Sequence, residues 1–572
     1  MAAVETREKL ADQTEVNVLL ADGFSEVFGN IYSGAIGIGV LVVLALFPLY
    51  YRDYYYDILL AKYTFYYVTM LGLFGVLFLI TLAAIIIDGM EYRFGHTKAF
   101  MSRFSPKEIR KHVLVSDWFL LAFLLVGVIS TLQSDYVYEA FWGNEGRYTG
   151  LFLHLIYGIG FLAVSHLYRF KKWHMNVFLA VAMLPLLFGI TDYFNMDLLG
   201  FKWEIDRNDR NSFMSTFGNI NTYATYIGMV FGCLSILVVK EKSFWKTVLY
   251  VGAFVIASFA LIMCNSDNAL LAAGLVFALV PLAAFRNRRG VMGYSILLAV
   301  FCGAAQVTRW VSEAKADVVI PLEGACRMVA NLPGLQIAFL VFLAAAVLFG
   351  ILGLRAGNAG VQRRADLQGT AGVQRHGGRE SGDYGKKFVY AWAAFLLVCV
   401  AGGIFVLYDA NWGGNSARYG ALAPYLHFAD EWGTYRGLVW RISVESYLEQ
   451  PLMHKIWGYG LDTYGVMTMS YRGYTSQICG QVFDSAHNEY LQYLVTIGPI
   501  GLALYLGFLA AVLRRMIKKS ADLKWGSAIA LGVGCYLLQA MVTINLPIAT
   551  PIMWMLLSVG AAGCARKVIS AD

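Results

Sequence analysis

Stretches of about twenty consecutive, mostly apolar residues recur along nearly the whole 572-residue chain, and no other feature restricts its fold as severely. A helix needs roughly 20 such residues to cross the hydrocarbon core of a bilayer. In lipid every backbone N–H and C=O must be bonded within the spanning structure, so spans are helices or closed-barrel strands. Barrel strands alternate apolar and polar side chains over about 10 residues. These runs do not alternate, which leaves helices. Fourteen are expected, at 31–51, 64–88, 113–132, 151–168, 175–191, 219–239, 247–263, 268–285, 291–311, 333–354, 388–408, 490–513, 526–546 and 549–565. The closely spaced pairs within 247–285 and 526–565 fit full spans or re-entrant segments. Composition agrees: 15% of the residues are charged, against about 25% in a soluble chain.

Lysine and arginine are retained on the cytoplasmic side of a membrane. With the N-terminus inside, alternation places 31 of the 45 lysines and arginines in inside segments. Two of these segments are 89–112 and 355–387. The net charge of +7 is therefore a topology signal. The basic residues are spread over separate segments, so nucleic acid is not an expected partner. Residues 1–30 read as a cytoplasmic tail without a signal peptide. Residues 31–408 read as a bundle of about eleven spans, interrupted by a flexible cytoplasmic loop at 355–387. Residues 409–489 form a large outer loop, and 490–572 carry about three more spans and a short cytoplasmic tail. Of the eight cysteines, Cys326 and Cys479 are the outer pair that a disulfide would join. No metal-ligand spacing is present, and neither metal nor cofactor is expected.

The loop 409–489 is too long for a simple connection and lacks linker composition. It carries Trp412, Trp432, Trp440 and Trp457, many tyrosines, and amphipathic stretches such as Arg436–Glu449. These features suggest a folded helical cap for a long ligand, partly lipid or saccharide. Two further outer segments, 133–150 and 191–221, hold Arg147, Arg207 and Arg210. Arginine presents a planar fork of donors to phosphate and never deprotonates. Several outer arginines converging on one pocket would hold a diphosphate without metal; interfacial anchoring is the plainer role for any single one. Few ionisable residues fall within the spans, and Asp117 and Asp267 lie near span ends. That argues against an ion-coupled transporter, which places acids or broken helices at the midplane.

Near the end of the large loop the chain reads Asp484-Ser-Ala-His487-Asn488-Glu489-Tyr490-Leu491, followed by Gly498-Pro-Ile-Gly501. Upstream stand Arg436-Gly-Leu-Val-Trp440, Pro451 and Gly458-Tyr-Gly460. Together these resemble the signature of the O-antigen ligase and polymerase superfamily, in which a His-Asn pair opens a membrane helix containing G-x-x-G. Gly218-Asn219-Ile-Asn221 is similar to the family's Gly-Asn-Pro-Asn segment, with isoleucine in place of proline. The family's preceding arginine maps onto Arg210, with Arg207 as a competitor.

The resemblance implies an all-α polytopic membrane protein. Its core would be the family's twelve-helix, GT-C-like bundle, with the first two spans additional. It also implies a glycosyltransferase of the bacterial cytoplasmic membrane, working on the extracytoplasmic face. Such an enzyme moves a saccharide from a polyprenyl-diphosphate carrier to an acceptor hydroxyl on a glycan, lipid or protein. His487 would be the general base, since an imidazole accepts a proton near neutral pH. Arg436, then Arg210, then Arg147 would stabilise the leaving diphosphate. Arg207, Asn219, Asn221, Trp440, Asn488 and Tyr490 complete the expected substrate contacts. Asn219 and Asn221, at a helix start, are equally suited to capping it. Gly498 and Gly501 suit close helix packing better than substrate contact. His427 and His454 share the loop and compete with His487. Ligase and polymerase differ only in acceptor and are not distinguished by these residues. A flippase for lipid-linked saccharide, or a non-catalytic envelope scaffold, would instead show no dependence on His487.

Overall fold

The computed structural model describes residues 23–368 and 384–564. Within them, fourteen apolar helices follow one another along the chain. They are α1 (Gly23–Leu49), α2 (Ile58–Tyr92), α3 (Val115–Leu132), α4 (Leu151–Leu167), α5 (Lys172–Tyr193), α6 (Ile220–Lys240) and α7 (Phe244–Met263). Next come α8 (Asp267–Ala284), α9 (Arg288–Ala314), α10 (Leu335–Gln368), α11 (Lys387–Asn411), α12 (Glu489–Lys519), α13 (Leu523–Gln539) and α14 (Thr550–Ala562). Eleven of them are long and apolar enough to cross a bilayer. The protein is a helical, multi-pass membrane protein. The remaining three are α4 and α13, of 17 residues each, and α14, of 13. At 1.5 Å per residue α14 is only about 20 Å long. The expected continuous runs 526–546 and 549–565 therefore resolve into two short helices, joined by a non-helical stretch at 540–549.

Other boundaries shift in the same way. The first helix starts at Gly23, so part of the expected 1–30 tail is helical; residues 1–22 lie outside the described residues. The backbone of α10 runs on to Gln368, well into the expected loop 355–387, of which 369–383 lie outside the described residues. So do 565–572 of the expected C-terminal tail. Cys326 and Cys479 are both free thiols; their Sγ atoms face the carbonyls of Ser266 and Thr475.

The bundle is organised around α6, whose apolar window is buried throughout. It packs against α7, α8, α9 and α13. A two-residue hairpin, β1 (Phe213–Met214) paired antiparallel with β2 (Gly218–Asn219), delivers the chain to its start. Asn219 caps α6, its Oδ1 accepting from Asn221 N at 2.9 Å. Asn488 caps α12 in the same manner, accepting from Tyr490 N and Leu491 N at 3.0 and 3.1 Å.

The glycines of the sequence motifs interlock. α12 is broken at Gly498 (φ 71°) just ahead of Pro499. A side chain at Gly498 would collide with the Ile456 carbonyl, and one at Gly458 (φ 76°) with the Thr496 carbonyl. The stretch 456–460 is thus pressed backbone to backbone against the break, and Gly460 N donates to Thr496 O at 2.9 Å. Only glycine supplies both the positive φ and the missing Cβ. The close packing expected of Gly498 is present, and its partner is the last turn of a short helix of the outer cap, Leu452–Trp457.

Candidate active site

A cavity of about 320 Å³ opens where the start of α6, the loop 540–549 and the outer cap meet. Arg147, Asn219, Asn221, Arg436 and His487 all line it. Its other walls are mostly apolar, including Ile58, Leu59, Phe217, Val542, Ile544, Leu546 and Ile548. A second chamber of about 350 Å³ shares Arg147, Asn221, Arg436 and His487, and is lined otherwise by Thr434 and the strip Gln481–Asp484. His487 and the two arginines therefore stand where an apolar chamber meets a polar one.

Each of these side chains is held by an identifiable local structure. His487 precedes the N-cap of α12 in the left-handed region (φ 48°). Its ring meets Phe483 edge to face at 5.8 Å. Burial, then the charges of Arg147 and Arg436, push its pKa down to about 3, against the opposing pull of Asp484. The imidazole is therefore neutral at pH 7. Arg436 follows three consecutive left-handed residues, Gly433, Thr434 and Tyr435. A β-branched residue rarely adopts that conformation, and strain of this kind clusters at functional sites. Arg436 Nη1 donates to Gly433 O at 2.9 Å, its buried Nε has no partner, and no carboxylate pairs with it among the described residues. Burial pushes its guanidinium below the ordinary value, and the Asp267 charge opposes that.

Arg147 sits on the loop between α3 and α4. Asp462 ties this loop down, accepting Asn144 N at 2.8 Å and Thr149 N at 3.0 Å. The Arg147 fork is engaged by Asp484, Nε to Oδ2 at 3.0 Å and Nη2 to Oδ1 at 2.5 Å. Asn221 Oδ1 accepts from Ser266 Oγ at 2.7 Å.

The other expected contacts lie elsewhere. Arg210 spends its fork on its own loop, Nε donating to Ile205 O at 3.0 Å, and does not line the cavity. Arg207 is exposed and does not line it either. Trp440 packs at a tilt against Trp432, with its buried Nε1 unpartnered. Asn488 is occupied as the cap of α12, and the Tyr490 hydroxyl donates to Leu537 O at 2.6 Å. The competing histidines have structural partners: His427 Nδ1 lies 3.1 Å from Ala410 O, and the His454 ring stacks on Tyr459 at 3.7 Å. Among the described residues no three His, Cys, Asp or Glu side chains gather as a metal site.

Sequence reasoning missed Asp484, Asp462 and the polar wall Thr543 and Thr550. Asp484 was within view, three residues before His487 in the motif. Thr543, Asn545 and Thr550 interrupt an apolar run that was taken for spans, and that interruption was the available signal.

No curated protein matches the chain. Residues 332–506 match the family model described as O-antigen ligase. The matched segment runs from the approach to α10, through the outer cap, into α12. It contains Arg436, Trp440, His487, Asn488 and Tyr490, while Arg147, Asn219 and Asn221 lie outside it and reach the site only through the fold. That segment supports a place for the chain in the O-antigen ligase and polymerase superfamily.

Proposed function

We propose that this protein is a glycosyltransferase that moves a saccharide from a polyprenyl-diphosphate carrier to an acceptor hydroxyl, on the outer face of a bacterial cytoplasmic membrane. The family match supports the coarser frame, an O-antigen ligase-like role in polysaccharide biosynthesis. The observation that carries the finer reading is the meeting of a neutral imidazole and two guanidiniums at the junction of the two chambers. The apolar chamber suits the first isoprene units of a carrier, and the polar chamber suits sugar. The diphosphate then falls between Arg436 and Arg147, beside the first turn of α6, whose helix dipole favours an anion. This placement favours Arg147 over Arg210 as the second phosphate ligand.

His487 takes the proton of the acceptor hydroxyl as its oxygen attacks the anomeric carbon. The bond from that carbon to the diphosphate oxygen breaks, and the carrier leaves as its diphosphate, its developing charge met by the guanidiniums. A pKa of about 3 describes a weak base. The diphosphate charge cancels the two guanidinium charges that depress it, so donor binding raises the basicity of His487 at the moment it is needed.

The test is the pool of lipid-linked saccharide in the native host, wild type against His487→Ala, with membrane abundance checked. Accumulated single repeat units mean polymerisation, and accumulated long lipid-linked chains mean ligation to an acceptor. No change in either pool, with the protein present, removes His487 as the base and returns weight to a flippase or scaffold.

A further inference from the structure

The two cavity arginines differ in one respect that the transfer reaction does not explain. Arg436 has no carboxylate partner among the described residues, and its buried Nε is unbonded. Arg147, in the same cavity, is clasped by Asp484 through two parallel hydrogen bonds, the geometry a phosphate uses with a guanidinium. Neither member of that pair is sealed in: the side chains are 19% and 32% exposed, and both line the polar chamber with His487. A partly exposed pair of this kind is weak enough to exchange partners. A permanent structural clamp for the loop already exists in Asp462, which is buried and holds the backbone on both sides of Arg147.

We propose that Asp484 is a displaceable counter-ion, occupying the Arg147 fork until the donor diphosphate takes its place and then turning its carboxylate to the His487 imidazolium formed during transfer. This rests on the transfer reading above. Asp484 stands three residues before His487 on one strip of chain, with Phe483 against the ring. The charged groups acting on His487 are Arg147, Arg436 and Asp484, and Asp484 alone among them favours the protonated ring. Displacement therefore couples donor binding to basicity: the phosphate neutralises the two opposing charges and frees the one that helps. Asp484 is a positioning residue in this scheme, acting through Arg147 and His487 rather than on the saccharide.

A merely structural Asp484 and a displaceable one predict opposite signs. Asp484→Asn keeps the shape and removes the competing charge, and Asp484→Glu restores that charge. Full-length protein in detergent is titrated with farnesyl diphosphate as the probe, and transfer is followed with lipid-linked saccharide. A displaceable counter-ion gives roughly fivefold tighter probe binding in Asp484→Asn, the scale of one part-exposed ion pair. In the same variant KM falls, kcat falls, and the acid limb of kcat moves to lower pH. Asp484→Glu returns all four towards wild type. Weaker or unchanged probe binding in Asp484→Asn, with wild type binding normally, overturns the inference and leaves the transfer reading intact. Failure of wild type itself to bind the probe or transfer saccharide overturns the transfer reading, and the inference with it.

Discussion

Two outer segments of this protein look alike in sequence and behave differently in structure. The cap 409–489 and the segment 194–219 both lie between spans, and both carry arginines among aromatics. The cap brings Arg436 and His487 to the cavity; the other segment brings Asn219 there and turns its arginines away. The difference lies in what satisfies each guanidinium. Arg210 directs its Nε and one Nη to carbonyls of its own loop at Ile205 and Trp203, away from the cavity. Arg436 is held by a left-handed turn that satisfies one nitrogen and leaves another buried and unbonded. A buried donor without a partner costs about 1–3 kcal/mol, and under the proposed transfer a phosphate oxygen would recover that cost. What separates the two arginines is that Arg436 faces the cavity with a buried, unbonded donor and Arg210 does not.

The largest effect should come from His487→Ala. Loss of a general base lowers turnover by about 10²–10⁴-fold, measured as transfer from lipid-linked saccharide at equal protein abundance. Arg436→Ala comes next. Removing one donor aimed at developing charge costs about 10²–10³ in kcat, and Arg436→Lys should recover only part of it because the planar fork is lost. Full activity in Arg436→Lys would erase the contrast between the two segments.

The same contrast has a pH signature. Arg436 depresses the pKa of His487, so removing it raises that pKa. The neutral imidazole is the active form, and activity falls as pH drops through the pKa. The acid limb of kcat/KM, which reports the free enzyme, should therefore lie well below the usual histidine range in wild type and move to higher pH in Arg436→Ala. The limb of kcat, measured with the donor bound, should lie above that of kcat/KM. Coincident limbs would mean that the diphosphate does not offset the guanidiniums.

How much of this was legible in advance follows physical lines. The spans were legible because lipid forces long apolar runs, and all fourteen expected segments contain helices. The run 526–546 ends as helix at Gln539, earlier than expected, because Thr543 and Asn545 are few against an apolar background. The non-helical stretch 540–549 and the first residue of α14 form a cavity wall, which only tertiary structure reveals. His487 and Arg436 were singled out by the motifs that carry the family resemblance, and both line the one cavity. Arg147 was ranked below Arg210 because nothing in the sequence shows that Arg210 turns to the carbonyls of Ile205 and Trp203, or that Asp462 brings residues 144–149 to the site from more than 300 positions away.

Glycine 498 tests the scaffold under the site rather than the chemistry. Gly498→Ala sets a Cβ against the Ile456 carbonyl at a positive φ. A strained position of this sort costs about 1–3 kcal/mol, and the end of the short helix Leu452–Trp457 must move. Reduced thermal stability in detergent is expected, with residual activity in the folded fraction. An unchanged melting temperature would show that the cap is not anchored at the break in α12.

The smallest effect is the most informative about the comparison. Arg210→Ala removes a half-buried guanidinium whose bonds run to carbonyls five and seven residues back. Such changes away from a core usually stay within about 0.5 kcal/mol, so KM and kcat should each move less than threefold. The family motif puts an arginine at this place, and a loss approaching that of Arg436→Ala would mean that Arg210 leaves its carbonyls and swings to the diphosphate. In that event Trp203 and Ile205 would be the parking place of a mobile ligand, and the segment 194–219 would work as the cap does. A small effect in Arg210→Ala beside a large one in Arg147→Ala would instead show that the role of second phosphate ligand has passed to the loop between α3 and α4.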